Sequence, residues 1–236
     1  MMIENLKIDA IIFDCDGVLI DSEALLEKVD LAYFDKLGLG FSKDEYHDKF
    51  TGSTYADNLR VIAERHMEVH GHPVHDTVAE DLTKLRTEML ENELKAIEGA
   101  VEFLEILSLK KAVASNTTQN EWLERKLERA GLRHYFDIHV YAAENVARGK
   151  PHPDLYLFAA EKLGVEPENC MVIEDSARGV EAGVAAGMTV VGFSGSSHLN
   201  HSEHEKKLLA GGAQHVFENM NDFSAFVQDL MADKAA

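Results

Sequence analysis

Short apolar runs alternate with helical patterns along most of the chain, and this alternation restricts the fold more than any other feature. Six runs have the length and composition of buried strands: Ala10–Phe13, Ala112–Ser115, Ile138–Tyr141, Met171–Glu174, Thr189–Phe193 and Gln214–Phe217. Helical patterns lie between them, and several end at a glycine, such as Gly131, Gly164 and Gly187. This pattern predicts an α/β fold with a Rossmann-like parallel sheet and helices on both of its faces.

One long stretch, residues 21–94, interrupts the alternation. It contains helical patterns and no convincing strand, and its Ser42 and Glu45 have the spacing of a capping box. A stretch of roughly 70 residues is too long for a loop within a compact domain. We therefore predict an α/β core of residues 1–20 and 95–236, and a small all-α cap domain of residues 21–94.

The composition restricts the partners that the protein could bind. The chain has 236 residues and a formal net charge of −19, which disfavours nucleic acid and anionic membranes because both attract basic surfaces. No apolar run approaches the roughly 20 residues that span a bilayer, and the first residues show no apolar signal core. Cys15 and Cys170 are interpreted as buried thiols in a reducing compartment. We expect a cytoplasmic protein, with a monomer favoured, that binds a small molecule.

Two aspartates, Asp14 and Asp16, follow the first apolar run. Side chains two residues apart on a strand point the same way, so both carboxylates are expected at one spot on the edge of the sheet. Like charges that are buried together are costly unless a cation or a shared proton relieves them. The pair therefore indicates a metal site or a proton-transfer site.

Three further polar clusters follow later strands and should lie at the same edge. Ser115 and Asn116 end the second run, Lys150 follows the third, and Glu174 and Asp175 end the fourth. Carboxylate ligands suit Mg²⁺. The residues after Ser115 precede a helix, whose free N–H groups favour an anion, and Lys150 adds a positive charge. An anion beside Mg²⁺ and a free carboxylate indicates phosphoryl transfer.

A carboxylate in such a site can act as the nucleophile. With a reference pKa of about 3.9 it is ionised at neutral pH without a helper base. Mg²⁺ and Lys150 would reduce its repulsion from the phosphoryl group. A second carboxylate must then protonate the leaving oxygen, and crowding by like charge should raise the pKa of that second acid.

These clusters resemble the four motifs of the haloacid dehalogenase superfamily of phosphatases. The segment Asp14-Cys15-Asp16-Gly17-Val18-Leu19 looks like the first motif. Ser115-Asn116, Lys150 and Glu174-Asp175 match the second, third and fourth motifs in order. The residues that flank them resemble the branch with a helical cap after the first motif, which includes β-phosphoglucomutase and many sugar-phosphate phosphatases.

The resemblance implies catalytic and metal-binding roles for four residues. Asp14 would be the nucleophile and a metal ligand. Asp16 would be the general acid and base, and its backbone carbonyl would bind Mg²⁺. Glu174 and Asp175 would complete the metal site, with Asp175 the surer direct ligand.

The resemblance also implies residues that bind the substrate. Ser115, Asn116 and Lys150 would hold the phosphoryl group. A loop of the cap would contact the leaving group, and the cap would close to exclude water and then reopen. The loop residues are Thr51, Gly52 and Ser53.

Two departures from the family pattern bear on the activity. Mutase-type caps carry an arginine where this chain has Tyr55, and a histidine where it has Leu26. We therefore expect a Mg²⁺-dependent phosphatase that hydrolyses a small phosphorylated metabolite, such as a sugar phosphate, through an aspartyl-phosphate intermediate. A sugar phosphomutase of the β-phosphoglucomutase type and a non-catalytic sensor of a phosphorylated ligand are the alternatives.

Overall fold

A computed structural model describes residues 7–50, 55–196 and 201–233 of the chain. These residues divide into two compact units, one drawn from Met1–Ser22 and Lys95–Ala236 and the other from Glu23–Leu94. Within the described ranges, every helix is too short or too polar to cross a membrane. The loop residues Thr51, Gly52 and Ser53 lie outside the described residues.

The larger unit is built on a six-stranded parallel sheet, which confirms the predicted fold class. Its strands are β1 (Ala10–Phe13), β2 (Lys110–Ser115), β3 (Val140–Ala142), β4 (Cys170–Glu174), β5 (Thr189–Phe193) and β6 (Val216–Phe217). The order across the sheet is β3-β2-β1-β4-β5-β6. The chain therefore reverses its direction of winding between β1 and β4, and α/β proteins bind ligands beyond the carboxyl ends of the strands at such a point.

Helices cover both faces of this sheet. Among the described residues of both units, the α-helices are α1 (Ser22–Lys36), α2 (Lys43–Lys49), α3 (Tyr55–His70), α4 (Val78–Glu93), α5 (Ala100–Ile106), α6 (Asn120–Arg129), α7 (Asp154–Leu163), α8 (Ala177–Ala185), α9 (His201–Gly211) and α10 (Met220–Asp233). On one face, Ile12 of β1 belongs to a core cluster with Leu155 of α7 and Val180 of α8. On the other, the ring of Phe13 lies 6.1 Å from that of Phe103 in α5. Adjacent residues of a strand thus bury their side chains on opposite faces.

The third strand differs from the sequence prediction of Ile138–Tyr141. It begins at Val140, and Ile138 is 79% exposed. The reason is a turn before the strand, where Asp137 has a φ of 45° and the His139 N–H donates to the Phe136 carbonyl over 2.7 Å. The sequence prediction included Ile138 in the strand because its side chain is apolar, but Ile138 lies in this turn.

The smaller unit is helical, with α1 to α4 packed around an aromatic core. The Phe34 ring lies 5.2 Å from Phe41 and 5.0 Å from Phe50. The predicted capping box is confirmed at the start of α2, because Ser42 and Glu45 each accept a hydrogen bond from the other's backbone N–H.

An ion pair is buried in the same unit. Asp30 of α1 is fully buried and accepts two hydrogen bonds from the guanidinium of Arg86 in α4, one of them 2.7 Å long from Nε. The Tyr46 hydroxyl donates a further hydrogen bond to Asp30 over 2.8 Å. The Asp30 carboxylate therefore joins three helices, and the one positive charge of Arg86 neutralises its negative charge.

Candidate active site

The loop after β1 places Asp14 at the carboxyl edge of the sheet. Its backbone N–H donates to the Ile173 carbonyl of β4 over 3.0 Å. Gly17 then turns the chain with a φ of +79°, a backbone conformation that residues other than glycine rarely adopt. A Cβ atom at this position would lie 1.9 Å from Oδ2 of Asp175. Glycine at position 17 therefore lets the loop approach the end of β4.

The buried ammonium of Lys150 joins two carboxylates from adjacent strands. Lys150 is 4% exposed, and its Nζ atom donates to Oδ1 of Asp14 and, over 2.6 Å, to Oε1 of Glu174. The same atom lies 4.8 Å from the centre of the Tyr156 ring. The structure thus brings together the ends of β1 and β4 and the segment after β3.

Hydrogen bonds occupy both oxygens of Glu174, which is fully buried. Oε1 accepts a hydrogen bond from the Tyr156 hydroxyl over 2.7 Å, in addition to the one from Lys150. Oε2 accepts from the N–H of Ser176 over 3.0 Å and from its hydroxyl over 2.9 Å. A Cβ atom on Gly179, in the first turn of α8, would lie 1.8 Å from Oε1. These contacts fix Glu174 in one orientation.

Three carboxylates converge at this edge and could hold a metal ion. One oxygen each from Asp14, Glu174 and Asp175 lies within 4.8 Å of the others. Two of these residues are buried, and Asp175 is partly exposed. A cluster made entirely of hard oxygen donors suits Mg²⁺ or a similar divalent cation.

The pKa of Asp14 is raised mainly by burial, and the neighbouring carboxylates add to the shift. Burial has the largest influence and raises this pKa, whereas the Lys150 charge lowers it. The carboxylates of Glu174 and Asp16 also raise it, and the resulting pKa of Asp14 is about 7. Burial lowers the pKa of Lys150, but Asp14 and Glu174 outweigh that effect and hold it above its usual value. Without a bound cation, Asp14 is therefore partly protonated at neutral pH, and the sequence-based expectation of a fully ionised nucleophile, which used the reference pKa, was wrong for this structure.

Asp16 has a separate set of partners. Its Oδ1 atom accepts a hydrogen bond from the Ser22 hydroxyl over 2.6 Å, and its Oδ2 atom accepts one from Nζ of Lys126 over 2.5 Å. Burial raises the pKa of Asp16, but the Lys126 charge and these two hydrogen bonds outweigh it, so the pKa lies below the usual value. The sequence-based expectation of a raised pKa at the second acid was therefore wrong for this structure, because it did not include Lys126.

Ser115 and Asn116 occupy the end of β2 as predicted from the sequence, and their hydrogen bonds are local. The Ser115 hydroxyl accepts from the Thr117 N–H over 3.1 Å and donates to Oγ1 of Thr117 over 3.0 Å. The side chain of Asn116 accepts from the Lys150 N–H over 2.8 Å and donates to the Lys150 carbonyl over 3.0 Å. Asn116 thus positions the backbone of Lys150, and its contact with phosphate stays a prediction.

Sequence reasoning missed Lys126, Tyr156 and Ser22. Lys126 lies in α6 among many charged residues, and such a lysine is ordinarily solvated. One signal could have found it: Lys126 follows Leu123 by three residues and adjoins Leu127, so it lies on the apolar stripe of the helix. The hydroxyls of Tyr156 and Ser22 have no comparable sequence signal, because only tertiary structure shows which carboxylate they meet.

Comparisons with known proteins agree with this geometry. A family model described as haloacid dehalogenase-like hydrolase matches residues 11–193. The chain is 30% identical over 201 residues to the 6-phosphogluconate phosphatase of Escherichia coli strain K12, and the aligned region covers 85% of this chain and 89% of that protein. It is 35% identical over 182 residues to a phosphorylated carbohydrates phosphatase of Thermotoga maritima, and the aligned region covers 76% of this chain and 82% of that protein.

A solved structure gives the same result. The crystal structure of a haloacid dehalogenase family hydrolase from Deinococcus radiodurans R1, with bound phosphate and sodium, is 34% identical and has a TM-score of 0.84. The match covers 95% of this chain and 97% of that one. The chain therefore belongs to the haloacid dehalogenase-like hydrolases and is a hydrolase, which confirms the family indicated by its four sequence motifs.

Proposed function

We propose that the protein is a Mg²⁺-dependent phosphatase of small phosphorylated carbohydrates, acting through an aspartyl-phosphate on Asp14. The observation that carries this proposal is the group of three carboxylates, from Asp14, Glu174 and Asp175, beside the shared ammonium of Lys150. The substrate class rests on the similar proteins that are named as phosphatases of 6-phosphogluconate and of phosphorylated carbohydrates.

The acidic cluster supplies the metal ligands in this proposal. Asp14, Glu174 and Asp175, with the backbone carbonyl of Asp16, would hold Mg²⁺, which supplies the positive charge that lets an anionic nucleophile approach a phosphoryl group. The family resemblance makes Asp175 the surer direct ligand, and Glu174, whose two oxygens accept hydrogen bonds from Lys150, Tyr156 and Ser176, would complete the site.

In the first half of the reaction, an oxygen of Asp14 attacks phosphorus and the bond from phosphorus to the leaving oxygen breaks. Lys150 lies against Asp14 and stabilises the negative charge of the transferring group. Asp16 donates a proton to the leaving oxygen, which departs as an alcohol. Ser115 and Asn116 orient the phosphoryl group in this scheme.

In the second half, water attacks the phosphorus of the aspartyl-phosphate. Asp16, now a carboxylate, takes the proton from that water, and the bond from phosphorus to Asp14 breaks to release inorganic phosphate. The low pKa of Asp16 in this structure keeps its carboxyl group ionised, as the base role requires, so Asp16 must take up a proton before it can act as the acid of the first half. The loop residues Thr51, Gly52 and Ser53 are proposed to recognise the leaving group.

Hydrolysis is favoured over the mutase alternative by the residue at position 55. The Tyr55 hydroxyl donates to the Ala79 carbonyl over 2.7 Å and carries no positive charge. The arginine that mutase-type caps present at this position is therefore replaced by a neutral side chain. Incubation with a hexose 1-phosphate separates the two activities, since a phosphatase releases free phosphate and a mutase yields an isomeric sugar phosphate.

The substitution Asp14→Asn tests the proposed function. Because the amide cannot attack phosphorus, hydrolysis of p-nitrophenyl phosphate with Mg²⁺ should fall by at least about 10³-fold. Circular dichroism should show an intact fold, and the variant Asp229→Asn, at an exposed position of α10, should keep wild-type activity. Substantial turnover by Asp14→Asn, or activity of the wild type that persists after chelation of metal, would refute the proposal.

A further inference from the structure

Lys126 provides a second buried ammonium at the same edge of the sheet. It is 5% exposed, and its Nζ atom donates to Oδ2 of Asp16 over 2.5 Å and to Oγ1 of Thr117 over 3.1 Å. Thr117 in turn accepts a hydrogen bond from the Ser115 hydroxyl over 3.0 Å. A continuous line of polar contacts therefore runs from Asp16 to the end of β2.

A lysine at this position is costly for folding. Lys126 lies between Leu123 and Leu127, which are fully buried, and burial of an ammonium removes its hydration. Well-packed apolar residues often replace buried ion pairs without loss of stability. A local conflict of this kind is most common at functional sites, and here the ammonium meets the residue proposed to transfer protons.

We propose that Lys126 is a positioning residue that orients the carboxyl group of Asp16 for proton transfer. This inference rests on the proposed role of Asp16 as general acid and base. The Ser22 hydroxyl fixes Oδ1 and Lys126 fixes Oδ2, so the carboxyl group is restrained at both oxygens. Because Lys126 also binds Thr117, it fixes Asp16 relative to the end of β2, where the phosphoryl group is proposed to bind.

This role should depend on the basicity of the leaving group. p-Nitrophenolate is a stable anion that leaves with little need for a proton, whereas phenolate is more basic and benefits from a well-placed acid. Phenyl phosphate and p-nitrophenyl phosphate differ little in size, so a comparison of the two isolates proton transfer. The ratio kcat/KM reports the steps up to formation of the aspartyl-phosphate, which include transfer of this proton.

The test compares Lys126→Met with wild type on both esters. Loss of the ammonium should lower kcat/KM for phenyl phosphate by on the order of 100-fold, and for p-nitrophenyl phosphate by less than about 5-fold. Lys126→Arg should recover part of the loss, because its guanidinium can still bind Asp16. The control Arg129→Met removes a positive charge from an exposed position of the same helix and should change neither value.

Other outcomes would overturn the inference. An equal fall for both esters would show that Lys126 has a purely structural role, and no fall would show that it has no role in catalysis. If Lys126→Met does not fold by circular dichroism, Ser22→Ala removes the other restraint on Asp16 and must show the same selective loss in smaller measure. Failure of the proposed function itself is distinguishable, since the wild type would then hydrolyse neither ester.

Discussion

Two buried carboxylates, Asp30 in the helical unit and Asp14 in the α/β unit, show how the balance of charge separates a structural site from a candidate active site. Asp30 binds one guanidinium, that of Arg86, and a neutral hydroxyl. Asp14 shares the Lys150 ammonium with Glu174, and Asp175 lies within 4.8 Å. The first site is balanced in charge, and the second has an excess of negative charge that a bound cation would relieve.

The largest effect is expected from disruption of the balanced site. The substitution Arg86→Met leaves the buried Asp30 without its cation, which should lower the free energy of unfolding by about 3–5 kcal/mol. Urea denaturation followed by circular dichroism measures this change. As a control, Arg60→Met removes a largely exposed ion pair with Glu64 and should cost no more than about 1 kcal/mol. Equal effects of the two variants would show that burial of the pair is unimportant.

Addition of Mg²⁺ should stabilise the unbalanced site. At a concentration of about 100 times its dissociation constant, Mg²⁺ should raise the free energy of unfolding by about 2.7 kcal/mol. The variant Asp175→Asn should lose most of this gain, because it removes the proposed direct ligand, whereas Asp229→Asn should keep it. Thermal denaturation with and without Mg²⁺ provides the comparison. An unchanged Mg²⁺ response in Asp175→Asn would place the cation elsewhere.

A smaller effect concerns the pH dependence of stability without metal. The pKa of Asp14 is raised from 3.8 to about 7 by folding, so between these values the folded state holds a proton that the unfolded state has released. Stability from this group is complete below pH 4 and falls as pH rises through 7. Relative to wild type, Asp14→Asn should therefore gain about 1 kcal/mol in the free energy of unfolding when the pH is raised from 5.5 to 6.5.

Urea denaturation in chelator at the two pH values measures this gain. A difference between the variant and wild type that does not change with pH would show that the Asp14 charge is not destabilising. The opposite sign, a loss for Asp14→Asn at the higher pH, would mean that the attraction of Lys150 outweighs burial and the neighbouring carboxylates.

The sequence was sufficient to predict the parallel sheet and the polar residues at its edge. Apolar runs that lead into Asp14, Ser115 and Glu174 mark strand ends, because a buried parallel strand is apolar along most of its length. The partners of Asp16 could not be predicted in this way. Lys126 lies 110 residues from Asp16 on a helix with many charged residues, and only the packing of that helix determines which carboxylate it meets.

The central claim is that Asp14 receives the phosphoryl group, and the most direct test is to trap it there. The variant Asp16→Asn lacks the base for hydrolysis of the intermediate and should accumulate it. After incubation with p-nitrophenyl phosphate and Mg²⁺, acid quench and peptide mass spectrometry should locate a phosphoryl group on Asp14. Phosphate on another residue, or no covalent phosphate while wild type turns over, would contradict the account.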